Sequence, residues 1–150
     1  MKLRQGTPAD TSAWMLLRRL RWPWLNDPQH AQAMETILAH PNQRALLLAW
    51  EGEQCAAFME LEIYGGNHQT ANISAWYCLP EFQSRQAGPA LFELAQLWAS
   101  SRGCVQLCAS CEADNFASQR DLHQLGFRDG KRLIQFFKPL GNGDPAPGSN

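Results

Sequence analysis

Leu91, Leu94, Ala95 and Trp98 recur at i, i+3, i+4 and i+7, a spacing that lays one apolar stripe along a helix closing at Gly103. Two helices precede it. Thr7-Pro8 is a start signal, and Ala13, Leu16, Leu17 and Leu20 carry a stripe to about Leu20. Asp27-Pro28 repeats the signal, and Ala33, Met34, Ile37 and Leu38 give a second stripe that stops before Pro41. The period then changes to two. Arg44 to Trp50 is dense in Leu and Ala, Glu51-Gly52 turns the chain, and along Cys55 to Ile63 Met59, Leu61 and Ile63 alternate with Phe58, Glu60 and Glu62, which predicts a hairpin. Gly65-Gly66-Asn67 breaks the chain, with His68 in a polar loop, before a strand from Ala71 to Leu79 that ends at Pro80. Val105 to Ala109 is short and apolar enough for a buried strand. Asp114 or Asn115 can cap a helix reaching Leu125-Gly126, and Leu133 to Phe137 reads as a last strand.

With a strand ahead of the first helix, the order is β, α, α, β, β, β, α, β, α, β. Such a mixed order predicts an α/β (α+β) fold, a mixed and mostly antiparallel sheet with helices on both faces. A chain of 16.9 kDa has the size of one domain, expected over residues 1 to 140. The tail GNGDPAPGSN, residues 141 to 150, has no large apolar side chain to anchor it and is expected to be disordered.

A net charge of -1, from 13 basic and 14 acidic residues mixed along the chain, gives no field for nucleic acid or an anionic membrane, so a small-molecule or protein partner is expected. The amino terminus lacks the apolar core of a signal peptide and no run reaches the roughly 18 apolar residues of a span, which points to the cytoplasm. Five cysteines, an odd number in apolar segments, fit reduced thiols rather than disulfides. Cys104, Cys108 and Cys111 have the spacing of iron-sulfur ligands, yet two of them bracket a strand, and no metal is expected.

Six fragments carry a resemblance: LRRLRWP at Leu17 to Pro23, HAQAM at His30 to Met34, YCLPE at Tyr77 to Glu81, DNFAS at Asp114 to Ser118, LGF at Leu125 to Phe127 and FFKPL at Phe136 to Leu140. In order and spacing they resemble the Gcn5-related N-acetyltransferases, in particular the aminoglycoside 6'-N-acetyltransferase branch. The resemblance implies acetyl transfer from acetyl-CoA to a primary amine of a small molecule, with the family also suggesting a homodimer. It implies that the strands at 71 to 79 and 105 to 110 splay apart, and that backbone N–H groups near Tyr77, Cys78 and Leu79 hold the thioester carbonyl. Asn115 joins the implied cofactor contacts.

The pyrophosphate is expected on PEFQSRQAGPAL, because the first N–H groups of a helix lack partners and carry partial positive charge. The family pattern Q/R-x-x-G-x-G/A lies on this loop in two ways. Counted from Pro80 it covers Gln83 to Gly88, with Gln86 in the place of the first glycine; two residues on, it covers Arg85 to Ala90. Position favours the first. Gln86 then adds a side chain and Pro89 removes a donor, while Arg85, Ala87 and Gly88 remain as phosphate contacts.

The branch's acid–base residues are not matched. Ser74 stands where the resemblance implies a Glu, Ser110 where it implies an Asp, Leu122 at the helix tyrosine with His123 one position off, and Gln135 at the final-strand tyrosine. An acceptor poorer in charge than an aminoglycoside follows. Tyr77, Ser74 and Glu60 are left as candidate catalytic residues, Glu60 or Glu62 acting as a base through water. Trp22 and Trp76, with Ser110, are candidate walls of the acceptor pocket, Ser74, Trp76 and Cys78 sharing one strand face by alternation. His30 reads as surface or satisfied, and Arg18, Arg19 and Arg21 as the wet side of their helix. The alternative function is a degenerate fold of this family kept as a binding or regulatory module with weak or no acyl-CoA affinity.

Overall fold

The alternation along residues 44 to 64 folds as a hairpin. β2 (Arg44–Glu51) and β3 (Gln54–Tyr64) pair antiparallel, and Gly52, at φ +60°, supplies the left-handed residue their turn needs. In the computed structural model, which describes residues 1 to 64 and 69 to 141, β1 (Lys2–Gln5) pairs antiparallel with β2, and β4 (Thr70–Cys78) does so with β3. β5 (Gln106–Cys108) runs parallel to β4. The sheet order is therefore β1-β2-β3-β4-β5, mixed and mostly antiparallel. The expectations at Gly65 to His68 and for the tail from residue 142 lie outside the described residues.

The chain divides into two compact units, Met1–Ala109 and the residues from Ser110 onward. In the first, α1 (Thr11–Arg21) and α2 (Asp27–Ala39) pack on one sheet face and α3 (Ala87–Ser101) on the other. Period-two alternation sends Leu46, Leu48, Phe58 and Ala75 toward α1 and α2, where they join Trp14, Leu17, Met34 and Ile37 in one core cluster. Leu91, Ala95 and Trp98 are buried on α3, as their spacing predicts, and Gly103 takes the left-handed conformation just beyond the helix.

The stripe of α1 is not the expected one. Its buried residues are Trp14, Leu17 and Arg18, also at i, i+3 and i+4, while Leu16 and Leu20 are more than half exposed. A full turn of arginines obscured the rotation: Trp14, the largest apolar residue of the helix, sets the buried face, and Arg18 follows it inside one turn later. On α2 the buried set is His30, Met34 and Ile37.

Capping fixes where both helices begin. Asn26 Oδ1 accepts from the Gln29 N–H at 2.9 Å and Gln29 Oε1 accepts from the Asn26 N–H at 2.8 Å, so the cap is Asn26 and not Asp27. Ahead of α1 a 3-10 turn over Pro8–Asp10 is held by Asp10, whose carboxylate accepts from the Thr7 N–H at 2.8 Å and takes both ends of the Arg4 guanidinium at 2.7 and 2.6 Å. This bidentate pair ties β1 to the start of α1.

In the second unit α4 (Phe116–Gln124) begins where Asn115 Oδ1 accepts from the Ser118 N–H at 3.1 Å, and Gly126, at φ +94°, follows its end. The strand expected at Leu133 to Phe137 does not form. The segment has no ladder partner among the described residues, and Leu133, Ile134 and Phe136 are more than 80 % exposed. Alternation alone cannot make a strand without a neighbour to pair with.

Arg4 holds the buried Asp10 carboxyl down at about 2, against an ordinary 3.8. A carboxyl lowered on folding stabilises above its unfolded pKa and loses that contribution as pH falls through the folded value. Asp10→Asn is expected to lower stability at neutral pH by about 1–2 kcal/mol, discounted for the partly exposed Arg4. It should also flatten the wild-type loss between about pH 4 and 2, read from urea midpoints across pH.

Candidate active site

β4 is paired on both sides for only part of its length. Its parallel ladder with β5 runs from Thr70/Gln106 to Asn72/Cys108 and stops, so from Ile73 to Cys78 the edge of β4 that faces away from β3 has no strand beside it among the described residues. The divergence expected between 71 to 79 and 105 to 110 therefore begins after Asn72. At that point β4 also bulges: Glu60 opposes Ala75 and Leu61 opposes Ile73, leaving Ser74 as the extra residue, with its hydroxyl donating to the Glu60 carbonyl at 3.2 Å.

Alternation then decides which amides face the open edge. Leu79 N–H donates to the Ala56 carbonyl at 2.9 Å, so Leu79 and, two residues back, Tyr77 direct their main-chain groups at β3. The N–H groups of Trp76 and Cys78 point the other way. Among the residues expected as donors, Cys78 turns its N–H to the open edge, Tyr77 and Leu79 are engaged within the sheet, and Trp76 is an addition that strand parity would have revealed. Tyr77 packs its half-buried side chain against the core cluster on the α1 and α2 face.

The loop that follows is more regular than its sequence suggests. Pro80–Arg85 forms a 3-10 turn, and Gln86 stands between it and α3 at φ 64°, ψ 24°, the sole non-glycine residue with positive φ among the described residues. A left-handed residue at 86 explains why the pattern places a glycine there, and supports the layout counted from Pro80. No side chain caps α3 and its first turn holds no acidic residue, while Gln83, Ser84, Arg85 and Gln86 are exposed around that positive end. These groups fit a phosphate.

Two expected contacts have other roles. Gly88 is buried, and a Cβ there would meet the Trp76 ring at 3.4 Å, an ordinary van der Waals distance, so this residue faces the indole and has room for a methyl group. Arg85 pairs with Glu51 at 3.0 Å on the exposed surface, a contact weak enough to exchange for a phosphate. Ala87 is fully buried. Trp76 itself, partly exposed, meets Phe92 of α3 edge-on at 5.5 Å, which places it on the α3 face of β4.

Glu60 is not a base in contact with water. Its carboxylate is 5 % exposed and accepts from Arg18 Nη1 and, at 2.9 Å, from the Trp14 indole. Burial pushes its pKa up and the two donors oppose that shift. Glu62 pairs with Arg44 at 3.2 Å. Arg18, expected on the wet side of α1, is 4 % exposed, and His30 is fully buried, accepting from Arg18 Nε at 3.2 Å through Nδ1. Trp22 is buried as well: the Arg18 guanidinium lies 4.5 Å and that of Arg21 5.1 Å from its ring, and it packs on Phe58. A ring already bearing two cations inside the core is no wall for a cationic acceptor.

A cleft of about 890 Å³ opens beside the end of β4, floored by Leu16, Leu17, Leu20 and Leu79 and rimmed by Glu53 and Glu81. The exposed leucines of α1 are thus part of a concave surface. In the second unit Asn115 serves as the cap of α4, and Ser110 is exposed. Cys55 is buried, with its thiol pushed up to about 11, and no group of three or more potential metal ligands occurs among the described residues.

An open strand edge with outward amides, followed by an uncapped helix start, is a scaffold for holding an acyl thioester and its phosphates. The family model for acetyltransferases of the GNAT family matches residues 13 to 127, and the chain belongs to that family. It is an N-acetyltransferase, with acetyl-CoA as acetyl donor. Among curated relatives, the type 1 aminoglycoside N(6')-acetyltransferase of Klebsiella aerogenes is 29% identical over 149 residues, covering 92% of this chain and 96% of the relative. That of Stenotrophomonas maltophilia is 26% identical over 147 residues, covering 92% and 93%. Among solved structures, aminoglycoside antibiotic 6'-N-acetyltransferase AAC(6')-Ih from Acinetobacter baumannii superposes with a TM-score of 0.80 at 26% identity, covering 93% of this chain and 99% of that one. AAC(6')-Iy in complex with the bisubstrate analog CoA-S-monomethyl-acetylneamine does so at 0.83 and 24% identity, covering 93% and 98%.

Gln86→Gly is expected to stabilise the protein by about 1 kcal/mol by relieving the left-handed backbone, and to leave acetyl-CoA affinity equal or tighter. Urea denaturation and calorimetry check both. A less stable glycine variant would contradict the turn described.

Proposed function

We propose that the chain acetylates a primary amine of a small molecule less highly charged than an aminoglycoside, the acetyl group lying along the open edge of β4 and the amine attacking it directly. The early end of the β4–β5 ladder carries this reading, because among the described residues it leaves the amides of Trp76 and Cys78 unpaired by any strand. Donors fixed in that way stabilise the oxyanion of a tetrahedral intermediate, and one such donor is commonly worth about 3–4 kcal/mol. The start of α3, with Arg85, Gln83 and Ser84 around it, would take the pyrophosphate.

The acceptor class follows from charge. β3 and β4 together carry two carboxylates, Glu60 and Glu62, and both are ion-paired within the protein. Ser74 brings no further negative charge. Along these two strands the attraction for a polycation is correspondingly weak, and the leucine-floored cleft beside Leu79, with Glu51, Glu53 and Glu81 among its lining residues, suits an amine with an apolar body and a cationic end. Ser74 sits at the bulge but spends its hydroxyl proton on the Glu60 carbonyl, which leaves it as a hydrogen-bond acceptor toward an incoming amine.

Without a dedicated base, the amine must arrive deprotonated, which at neutral pH costs about 4–5 kcal/mol for a lysine-like group. For such acceptors log kcat/KM is expected to rise with unit slope from about pH 6.5 toward 9, and a plateau near pH 7 would indicate a base on the protein. The direct test is calorimetry with acetyl-CoA followed by thiol-release assays over a panel of amines. Binding, with turnover best for monoamines and diamines, is expected. An absence of binding at millimolar acetyl-CoA, or aminoglycosides as the most efficient acceptors, would overturn the proposal.

A further inference from the structure

Glu60 is joined to two different parts of the first unit at once. Its side chain lies under α1, accepting from Arg18 and from the Trp14 indole, while its main-chain carbonyl accepts from the Ser74 hydroxyl at the bulge of β4. Arg18 is in turn fixed by α2, since its Nε donates to His30 Nδ1, and by the Trp22 ring over its guanidinium. The acceptor role of Nδ1 leaves the imidazole neutral, with its proton on Nε2. One guanidinium therefore locks α1, α2 and β3 together behind the two residues whose amides face the open edge.

Burying this pair gives little stability for its desolvation: such pairs are often replaceable by apolar residues without loss. What a hydrophobic substitute does not supply is direction. The bulge at Ser74 changes the parity of β4, so it decides whether Trp76 and Cys78 or their neighbours point their N–H groups outward. A Glu60 backbone free to shift would let that register slip.

We propose that Arg18 is a positioning residue for acetyl transfer, acting through Glu60 and the Ser74 bulge to set the amides of Trp76 and Cys78. The inference rests on the proposed role of the β4 edge in holding the acetyl donor. It predicts a separation between fold stability and turnover that a purely structural salt bridge would not show.

Arg18→Lys keeps the charge but loses the fork that reaches Glu60 and His30 together. Its kcat is expected to fall about tenfold, with KM for acetyl-CoA and for the amine within about twofold of wild type. The double variant Arg18→Met/Glu60→Leu, which also leaves the Trp14 indole and His30 Nδ1 without partners, is expected to stay fully folded in the absence of denaturant with a lowered urea midpoint, and still to show the kcat deficit. Amide exchange at Ala75 and Tyr77, which pair with β3, should quicken about tenfold in both variants. A folded double variant with wild-type kcat, or unchanged exchange at those amides, overturns the proposal. If the wild-type protein bound no acetyl-CoA, the functional reading would fall, and exchange, which needs no turnover, would still decide whether Arg18 sets the bulge.

Discussion

A carboxylate and a guanidinium share the interior of the first unit, and the arrangement around them depends on that pair staying satisfied. Glu60 lies on the sheet face covered by α1 and α2, and neither charge reaches water. Losing one partner alone would strand a buried charge at a cost of about 3–5 kcal/mol. The pair goes with the rotation of α1 that Trp14 sets, Arg18 lying inward and Leu16 and Leu20 turning out to form the floor of a cleft. The same rotation puts Trp14 in the centre of the core, where its indole finds the carboxylate it needs.

From that arrangement the site follows by strand geometry. β3 is held from above by α1, β4 bulges once against it, and β5 leaves after three paired residues. Outward amides, a left-handed residue at the turn and an uncapped helix start succeed one another over fifteen residues of chain from Ser74 to Gly88. Most of the polar groups that would act on acetyl-CoA in this stretch are main-chain groups.

The order of the elements through α4 was legible in the sequence because each stripe or alternation had a clear start and stop, as Leu91 to Trp98 and Met59 to Ile63 show. The rotation of α1 was not. Two apolar stripes compete along Thr11 to Arg21, and the real one includes an arginine whose partners lie 12 and 42 residues away. The last strand failed because a strand is a property of two segments, and Leu133 to Phe137 has no neighbour to pair with among the described residues. Of the candidate site, the position of the turn before α3 could be read from Pro80 and Gly88. The roles of Glu60, Trp22 and Gly88 could not, since each depends on contacts across the fold.

The contact between Gly88 and Trp76 joins a strand residue to the first turn of a helix by volume alone. A Cβ at 88 would meet the indole at 3.4 Å, an ordinary van der Waals distance, so the junction has room for a methyl group while a branched side chain there would press on the ring. Homologous chains should therefore tolerate either glycine or alanine at the helix position while an aromatic ring occupies the strand position. The size limit at this junction would then fall on the second methyl group and not the first, with the backbone unchanged.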